Sequence, residues 1–170
     1  SQRFGVVPRT VREAGPVDYW IHAVSVGEAR AAAPLVKQLL TEQPELKILV
    51  TTTTPTGSAM VKMMLQDRVL HCYFPYDLSW AMRRFVAAVQ PRIALIMETE
   101  IWPEMIAAVK QQGALLVYTN VRLSERSYRG YARFSNWVKQ TLRQVDHFAV
   151  QGELDAKHLA LLGVPEAKMS

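Results

Sequence analysis

Short apolar runs rich in β-branched residues alternate along the chain with longer segments whose apolar residues have a helical spacing. The six runs read DYWIHAVSV, KILVTTTT, RVLHCYF, RIALIME, ALLVYTN and DHFAVQ. Between them, apolar side chains recur at i, i+3, i+4 and i+7, which is the period of an amphipathic helix. This repeat of strand and helix predicts parallel strands joined by helical crossovers.

The strand runs are almost continuously apolar, which indicates that helices cover both faces of the sheet. We therefore predict an α/β fold, a Rossmann-like doubly wound parallel sheet of about six strands. No linker or internal repeat divides the chain, so residues 1–170 are predicted to form one domain. Within it, residues 1–17 are a lead-in segment punctuated by Pro and Gly.

Composition narrows the class of protein. The 170 residues are 49% apolar and 21% charged, as expected for a globular domain with its own core. Cys72 is the single cysteine and excludes an internal disulfide, and the four histidines lack metal-ligand spacing, so we expect no metal and no cofactor. The net charge of +5 favours polyanionic partners, and no apolar run is long enough to span a bilayer.

Ligands of doubly wound sheets bind outside the carboxyl ends of the strands, which makes the residues after each run candidate site residues. Each candidate has a structural alternative, because strand-to-helix turns are rich in residues that cap helices. Two carboxylates at one edge are harder to explain by capping alone, since burying a carboxylate costs free energy. The candidates are Ser25, Gly27 and Glu28 after the first run, Thr54, Thr56 and Gly57 after the second, Glu98 and Glu100 after the fourth, and Asn120, Arg122 and Ser124 after the fifth.

Common cofactor and nucleophile signatures are missing from the sequence. The first strand run is followed by SVGEAR rather than GxGxxG, and neither GxxxxGK[ST] nor GxSxG occurs. The sequence therefore offers no support for dinucleotide binding, for P-loop chemistry or for a serine hydrolase.

Five motifs occur in order along the chain: HAVSVGE, TTTTPTGS, YFPYDL, METEIWPE and NVRLSERS. Together they resemble the amino-terminal half of the Kdo (3-deoxy-D-manno-octulosonic acid) transferases of lipopolysaccharide assembly, from about Arg3 to the last residue. The resemblance implies a glycosyltransferase of the GT-B type, of which this chain is the acceptor-binding half. It also implies a carboxy-terminal half for the CMP-sugar and a membrane-anchoring segment, both absent from this chain.

The resemblance further implies roles for the two carboxylates. Glu28 would be the general base that takes a proton from an acceptor hydroxyl, and Glu98 would assist the transition state. How Glu98 acts stays open: it could orient the acceptor, hold a basic residue of the other half, or stabilise oxocarbenium charge. The implied reaction is an inverting transfer of Kdo from CMP-Kdo to the lipid A precursor at the cytoplasmic face of the inner membrane, and this chain alone is expected to be inactive.

The segment from Arg122 to Arg143 carries six basic residues against the single acidic Glu125. As one amphipathic helix it would place basic residues in one sector and apolar ones in another. Two interpretations stay open: a solvated face over a core stripe, or a surface that contacts lipid phosphates or anionic membrane. The basic sector holds Arg126, Arg129 and Arg133, and the apolar sector holds Tyr128, Tyr131, Phe134, Val138 and Leu142.

Other functions remain as alternatives. The chain could be a GT-B acceptor half for another phosphorylated or lipid-linked acceptor, or a non-catalytic module that binds polyanions. We do not expect nucleic acid as the partner, because the aromatics of the basic segment fall on its predicted core side and no known nucleic-acid-binding motif appears. Transfer from CMP-Kdo by the protein joined to its other half would separate these functions.

Overall fold

The computed structural model describes residues 1–97 and 100–170, and within them it forms one sheet of six parallel strands. The strand order is β3-β2-β1-β4-β5-β6, which is that of a doubly wound Rossmann-like sheet. This confirms the α/β fold predicted from the sequence. The strands are β1 Tyr19–His22, β2 Ile48–Thr52, β3 Leu70–Tyr73, β4 Ile93–Ile96, β5 Leu115–Val121 and β6 His147–Val150.

Helices connect successive strands, and none within the described ranges is both long and apolar enough to cross a lipid bilayer. Short 3-10 turns lie at Gln2–Phe4, Gln66–Arg68 and Glu166–Lys168. The helices are α1 Arg9–Ala14, α2 Val26–Glu42, α3 Pro55–Leu65, α4 Ser79–Val89, α5 Pro103–Gln111, α6 Glu125–Ala132, α7 Ser135–Arg143 and α8 Glu153–Leu161.

The sheet separates two hydrophobic clusters. On one face, Ile21 and Val50 pack with Val36 of α2 and Val61 of α3. The other face carries Trp20, Leu49 and Ala94 under α4, α5 and α7. Successive strand residues point to opposite faces, so covering both faces requires apolar residues at consecutive strand positions. This explains the near-continuous apolar runs in the sequence.

The direction of the strand order reverses at β1. This strand pairs with β2 on one side and with β4 on the other, both in parallel. The connections that leave neighbouring strands at such a reversal turn to opposite faces of the sheet, which opens a crevice at the carboxyl ends of the strands. The turns that follow β1 and β4 flank this crevice. The strands that precede Glu28 and Glu98 in the sequence, β1 and β4, are therefore neighbours.

The lead-in segment is held against the carboxyl ends of β2 and β3. The Arg3 guanidinium donates from Nη1 to the Phe74 carbonyl oxygen at 2.9 Å and from Nη2 to the Thr53 carbonyl oxygen. The Gln2 side-chain oxygen accepts from the Tyr73 amide at 2.7 Å. These bonds place the start of the chain at the same edge of the sheet as the crevice.

Gly5 allows this arrangement. Its φ is +77°, and a Cβ added there would lie 2.2 Å from the Ala81 carbonyl oxygen of α4. We expect Gly5→Ala to lower the free energy of unfolding by about 3 kcal/mol, from left-handed strain of about 1–2 kcal/mol and a further overpacking cost. Urea denaturation measures the change.

Gly113 provides the matched control, since its φ is +86° but a Cβ there would meet nothing within 4 Å. Gly113→Ala should therefore cost the strain alone, about 1 kcal/mol. Equal losses in the two variants would show that the close approach to α4 contributes nothing.

Candidate active site at the strand ends

Glu28 lies in the first turn of α2, directly after β1. Ser25 caps this helix by accepting a hydrogen bond from the Gly27 amide at 3.2 Å, and Glu28 Oε2 accepts from the Ser25 amide at 2.9 Å. The Ser25 hydroxyl also donates to Oε2. Ser25 and Glu28 thus form a reciprocal capping box, so the structural alternative for Glu28 is realised. Among the described residues, nothing forms a hydrogen bond with Oε1, so one oxygen of the half-buried carboxylate remains available for a ligand.

Thr54 caps α3 in a similar way, with Pro55 at the first helical position. Its hydroxyl accepts from the Gly57 amide at 3.0 Å and lies 3.2 Å from the Thr56 hydroxyl. Thr53 joins this turn to the preceding one, because its amide and its hydroxyl both donate to the Val24 carbonyl oxygen, at 3.2 and 2.8 Å. The turns that follow β1 and β2 therefore lie side by side at the edge of the sheet.

A second polar group lies at the ends of β5 and β6. Asn120 has a φ of +57° and falls at a register shift within β5, so it belongs to the strand rather than following it as predicted. Its side-chain oxygen accepts from the Gln151 amide nitrogen, and the Gln151 oxygen accepts from Arg122 Nε. Gln151 was not among the residues predicted from the sequence. The rule that selected the other candidates could have found it, since it comes directly after β6.

Ser124 caps α6 by accepting from the Ser127 amide at 3.2 Å. In the same first turn, Glu125 contacts Arg129 Nε at 2.9 Å and His158 Nε2 at 3.0 Å. The hydrogen bond from Arg129 lowers the pKa of Glu125, although the carboxylate is exposed. His158 is buried beneath this turn, where its Nδ1 lies 2.7 Å from the Leu123 carbonyl oxygen. The start of α6 is therefore fixed against α8.

Glu100 lies at the rim of a depression of about 470 Å³ between the turn after β4 and helices α6 and α7. The Glu100 carbonyl oxygen accepts from the Tyr118 hydroxyl at 3.3 Å, and the Ile101 amide donates to the Tyr131 hydroxyl at 3.3 Å. Glu98, the predicted transition-state residue, lies outside the described residues. The depression is lined by Glu100, Ile101, Ser127, Gly130, Tyr131, Phe134, Trp137 and Val138.

The basic segment does not form the single helix predicted for it. It is broken at Arg133 and Phe134 into α6 and α7, so Arg133 lies outside both helices. The break turns the chain and brings Val138 and Leu142 into the core, whereas α6 has no buried residue. Arg126, Arg129 and Arg133 still lie together, because with Glu125 and Gly130 they line an open depression of about 560 Å³.

Phe134 was predicted to belong to the apolar, core-facing sector, and this is wrong. The break places its side chain outside, where it is 67% exposed, next to Trp137 at 52%. Tyr128 and Tyr131 are partly buried against the core as predicted. The segment therefore presents aromatic side chains as well as arginines to solvent.

The candidate residues thus form two groups at one edge of the sheet. One comprises the turns after β1 and β2, and the other extends from the turn after β4 to the end of β6. The two groups lie on the two sides of the strand-order reversal, and the backbones of β1 and β4 join them there. The catalytic and acceptor-binding roles predicted for these residues remain predictions.

The fold is a Rossmann-like α/β domain of the kind found in GT-B-type proteins. A Listeria monocytogenes protein described as a UDP-N-acetylglucosamine 2-epimerase superposes with a TM-score of 0.61 at 15% identity, over 91% of this chain and 44% of its own. Another UDP-N-acetylglucosamine 2-epimerase gives 0.59 at 14%, over 91% and 45%. At these identities the likeness concerns the fold alone.

Sequence comparison identifies the family. A family model described as 3-deoxy-D-manno-octulosonic-acid transferase (kdotransferase) matches residues 1–170, and the chain belongs to this family. Proteins named 3-deoxy-D-manno-octulosonic acid transferase are 41% identical in Haemophilus influenzae, over 91% of this chain and 36% of theirs, and 36% identical in Bordetella pertussis, over 88% and 35%. The chain therefore spans about a third of the length of these curated relatives.

The corrected position of Phe134 leads to a stability prediction. Because Phe134 is largely exposed, Phe134→Ala should change the free energy of unfolding by no more than about 0.5 kcal/mol. Leu142 is 1% exposed on the neighbouring helix, and Leu142→Ala should cost about 2–5 kcal/mol. Chemical denaturation of the two variants checks the contrast, and a loss at Phe134 as large as that at Leu142 would contradict it.

Proposed function

We propose that this chain is the acceptor-binding half of an inverting glycosyltransferase that moves Kdo from CMP-Kdo to the lipid A precursor. Membership of the Kdo transferase family supports the class of reaction. The observation that carries the proposal is the hydrogen bonding of the Glu28 carboxylate. Its carboxylate lies beside the crevice with Oε2 bound by Ser25 and Oε1 without a hydrogen-bond partner among the described residues.

Such a carboxylate suits a general base. A sugar hydroxyl is a weak nucleophile, so a positioned base must take its proton as its oxygen attacks the anomeric carbon of Kdo. In the proposed step Glu28 Oε1 receives that proton, a new glycosidic bond forms, and the bond from the anomeric carbon to CMP breaks. Attack from the face opposite CMP inverts the anomeric configuration. The capping bonds to Ser25 hold the carboxylate in place, which reduces the entropic cost of aligning it.

The remaining strand-end residues are proposed to bind the acceptor and support the transition state. Glu98 keeps its proposed transition-state role on the basis of the sequence. The CMP-Kdo contacts are proposed to come from the portion of the protein beyond this chain. The proposed acceptor-binding residues are Ser25, Gly27, Thr54, Thr56, Gly57, Glu100, Asn120, Arg122 and Ser124, and we add Gln151 because it links Asn120 to Arg122.

The surface of α6 and α7 is proposed to meet the phosphates of the lipid acceptor and the anionic cytoplasmic face of the inner membrane. Arg126, Arg129 and Arg133 supply positive charge around one depression. Phe134 and Trp137, both largely exposed, line the adjacent one. Basic and aromatic side chains together favour the boundary between lipid headgroups and acyl chains.

The same arginines also support a second candidate function. Guanidinium groups recognise phosphate in many compounds, so this half could serve another phosphorylated or lipid-linked acceptor, or bind polyanions without catalysis. A transfer assay with CMP-Kdo and the lipid A precursor, using the full-length protein, separates these functions. Product formation is expected, and its absence in an otherwise folded protein would favour the second candidate.

Glu28→Gln tests the base. Glutamine also fits this position of a capping box, so the variant should fold normally while losing the proton acceptor. In the full-length protein we expect turnover to fall about 10²- to 10⁴-fold with an unchanged melting temperature. Steady-state kinetics with CMP-Kdo provide the measurement.

Glu153→Gln is the matched control, because Glu153 is likewise an acidic residue in a first helical turn after a strand, that of α8. Its turnover should equal that of the parent. Near-normal turnover in the Glu28 variant would remove Glu28 from the role of base.

The basic surface generates a separate prediction. Changing Arg126, Arg129 and Arg133 to Gln should weaken binding to anionic phospholipid vesicles about 100-fold at low salt, since each basic residue contributes about 1 kcal/mol near such a surface. The difference should shrink at high salt and vanish with neutral vesicles. Vesicle co-sedimentation over a range of salt concentrations measures it.

Arg30 and Lys37 of α2 and Lys62 of α3 serve as a control of equal charge, because these exposed residues lie on helices of the opposite face. Their joint change to Gln removes the same charge but should affect vesicle binding much less. Equal weakening in both triple variants would show that only the net charge matters and that the α6 surface has no special role.

A further inference from the structure

His22 is a polar residue at the end of a strand that is otherwise apolar. Its side chain is 0% exposed, and it is the last residue of β1, whose carboxyl end borders the crevice. Burial lowers the pKa of His22 to about 3, with a hydrogen bond to Thr51 opposing the shift and the charge of Arg3 adding to it. The imidazole is therefore neutral throughout the physiological range of pH.

One nitrogen of this ring is fixed. His22 Nδ1 lies 2.9 Å from the Thr51 hydroxyl, and the same hydroxyl accepts from the Trp20 indole nitrogen at 2.9 Å. The ring stacks on Phe74 with 3.9 Å between centroids. Phe74 is in turn held by Arg3 through its carbonyl oxygen. These contacts leave the imidazole a single orientation.

The other nitrogen, Nε2, is buried without a hydrogen-bond partner among the described residues. Such a group destabilises the fold relative to a partnered one, and buried polar atoms in folded proteins nearly always have a hydrogen-bond partner. An apolar residue at this position would avoid the cost. Folding stability therefore explains the hydrogen bond at Nδ1, but it does not explain why a polar atom without a partner is buried at Nε2.

The location of His22 connects it to the proposed reaction. Its carbonyl oxygen accepts from the Met97 amide at 2.9 Å, so its backbone joins the ends of β1 and β4 at the crevice. Three residues further along the chain, Ser25 holds the Glu28 carboxylate. A hydrogen bond that fixes the end of β1 would thus also fix the turn that carries Glu28.

We propose that His22 is a positioning residue of the transfer reaction. When the acceptor fills the crevice, Nε2 of His22 gains an oxygen atom as its hydrogen-bond partner. This hydrogen bond fixes the turn that carries Glu28. This proposal rests on the proposed function. It assigns His22 no proton transfer and no role that requires charge. Its contribution is orientation, and it acts through the strand end.

Two amide substitutions separate the two sides of the ring. The side-chain amide of Asn reaches the position of Nδ1, whereas that of Gln reaches the position of Nε2. In the full-length protein, His22→Asn should keep the Thr51 bond and the melting temperature but lower kcat about 10- to 100-fold, because the turn carrying Glu28 is misplaced. His22→Gln should retain most of kcat despite a lower melting temperature. The KM for the acceptor should change little in either variant.

If His22 served only to stabilise the fold, only its bond to Thr51 would matter. The order of kcat in the two variants would then be reversed, with His22→Asn retaining kcat and His22→Gln losing it. Retention of kcat in His22→Asn, or its loss in His22→Gln at a temperature where that variant is folded, would overturn the proposal. A rise in acceptor KM at constant kcat would also overturn it, since that result indicates binding rather than positioning.

A measurement on the unsubstituted protein removes any dependence on folding of the variants. The ¹⁵N resonances of labelled histidine distinguish the two ring nitrogens and report their hydrogen bonds. Addition of the lipid A precursor to the full-length protein should shift Nε2 of His22 and leave Nδ1 in place, and an unshifted Nε2 at saturation would refute the proposal. This result does not depend on whether Glu28 is the base, so failure of the Glu28 prediction and failure of this one can be told apart.

Discussion

The covering of both faces of the sheet by helices is the constraint on which the rest of the structure depends. It requires apolar residues along each strand, and in β2 every residue is buried. Polar chemistry is thereby confined to the strand ends, where the backbone leaves the sheet. The reversal of strand order at β1 then selects one position along the carboxyl ends of the strands. Only at this reversal do the connections from two neighbouring strands turn to opposite faces of the sheet. Glu28 is found at this place.

Capping and candidate chemistry coincide in the same residues. Ser25, Thr54 and Ser124 each accept a backbone hydrogen bond at the start of a helix. The cap also suits the role of general base proposed for Glu28, because two bonds from Ser25 fix a carboxylate that would otherwise sample many rotamers. The structural and functional interpretations of this residue are therefore compatible, and the capping interactions contribute to the geometry that a general base needs.

The regular part of the fold could be predicted from the sequence because it follows from periodicity. The alternation of apolar runs and helical segments predicted the six strands and the edge at which the candidates lie. The break between α6 and α7 could not be predicted, because the spacing of Tyr131, Val138 and Leu142 suits one continuous helix. Only packing of α7 on the core decides the turn at Phe134. His22 was missed because it lies inside a strand run, where periodicity does not show which polar atoms find partners, and Gln151 was missed because the residues at the end of the sixth run were not considered.

The two groups of candidate site residues differ in how much their substitution would lower the stability of the fold. Ser25, Gly27, Thr54 and Gly57 serve helix starts, so most substitutions there would weaken the fold as well as the site. Arg122 and Gln151 lie on the surface and bond to each other through side chains alone. Substitution of an exposed residue such as Gln151 should therefore cost little stability. Under the proposed function, changes of acceptor preference should therefore arise first on that side of the crevice, whereas residues on the β1 and β2 side are constrained by the fold.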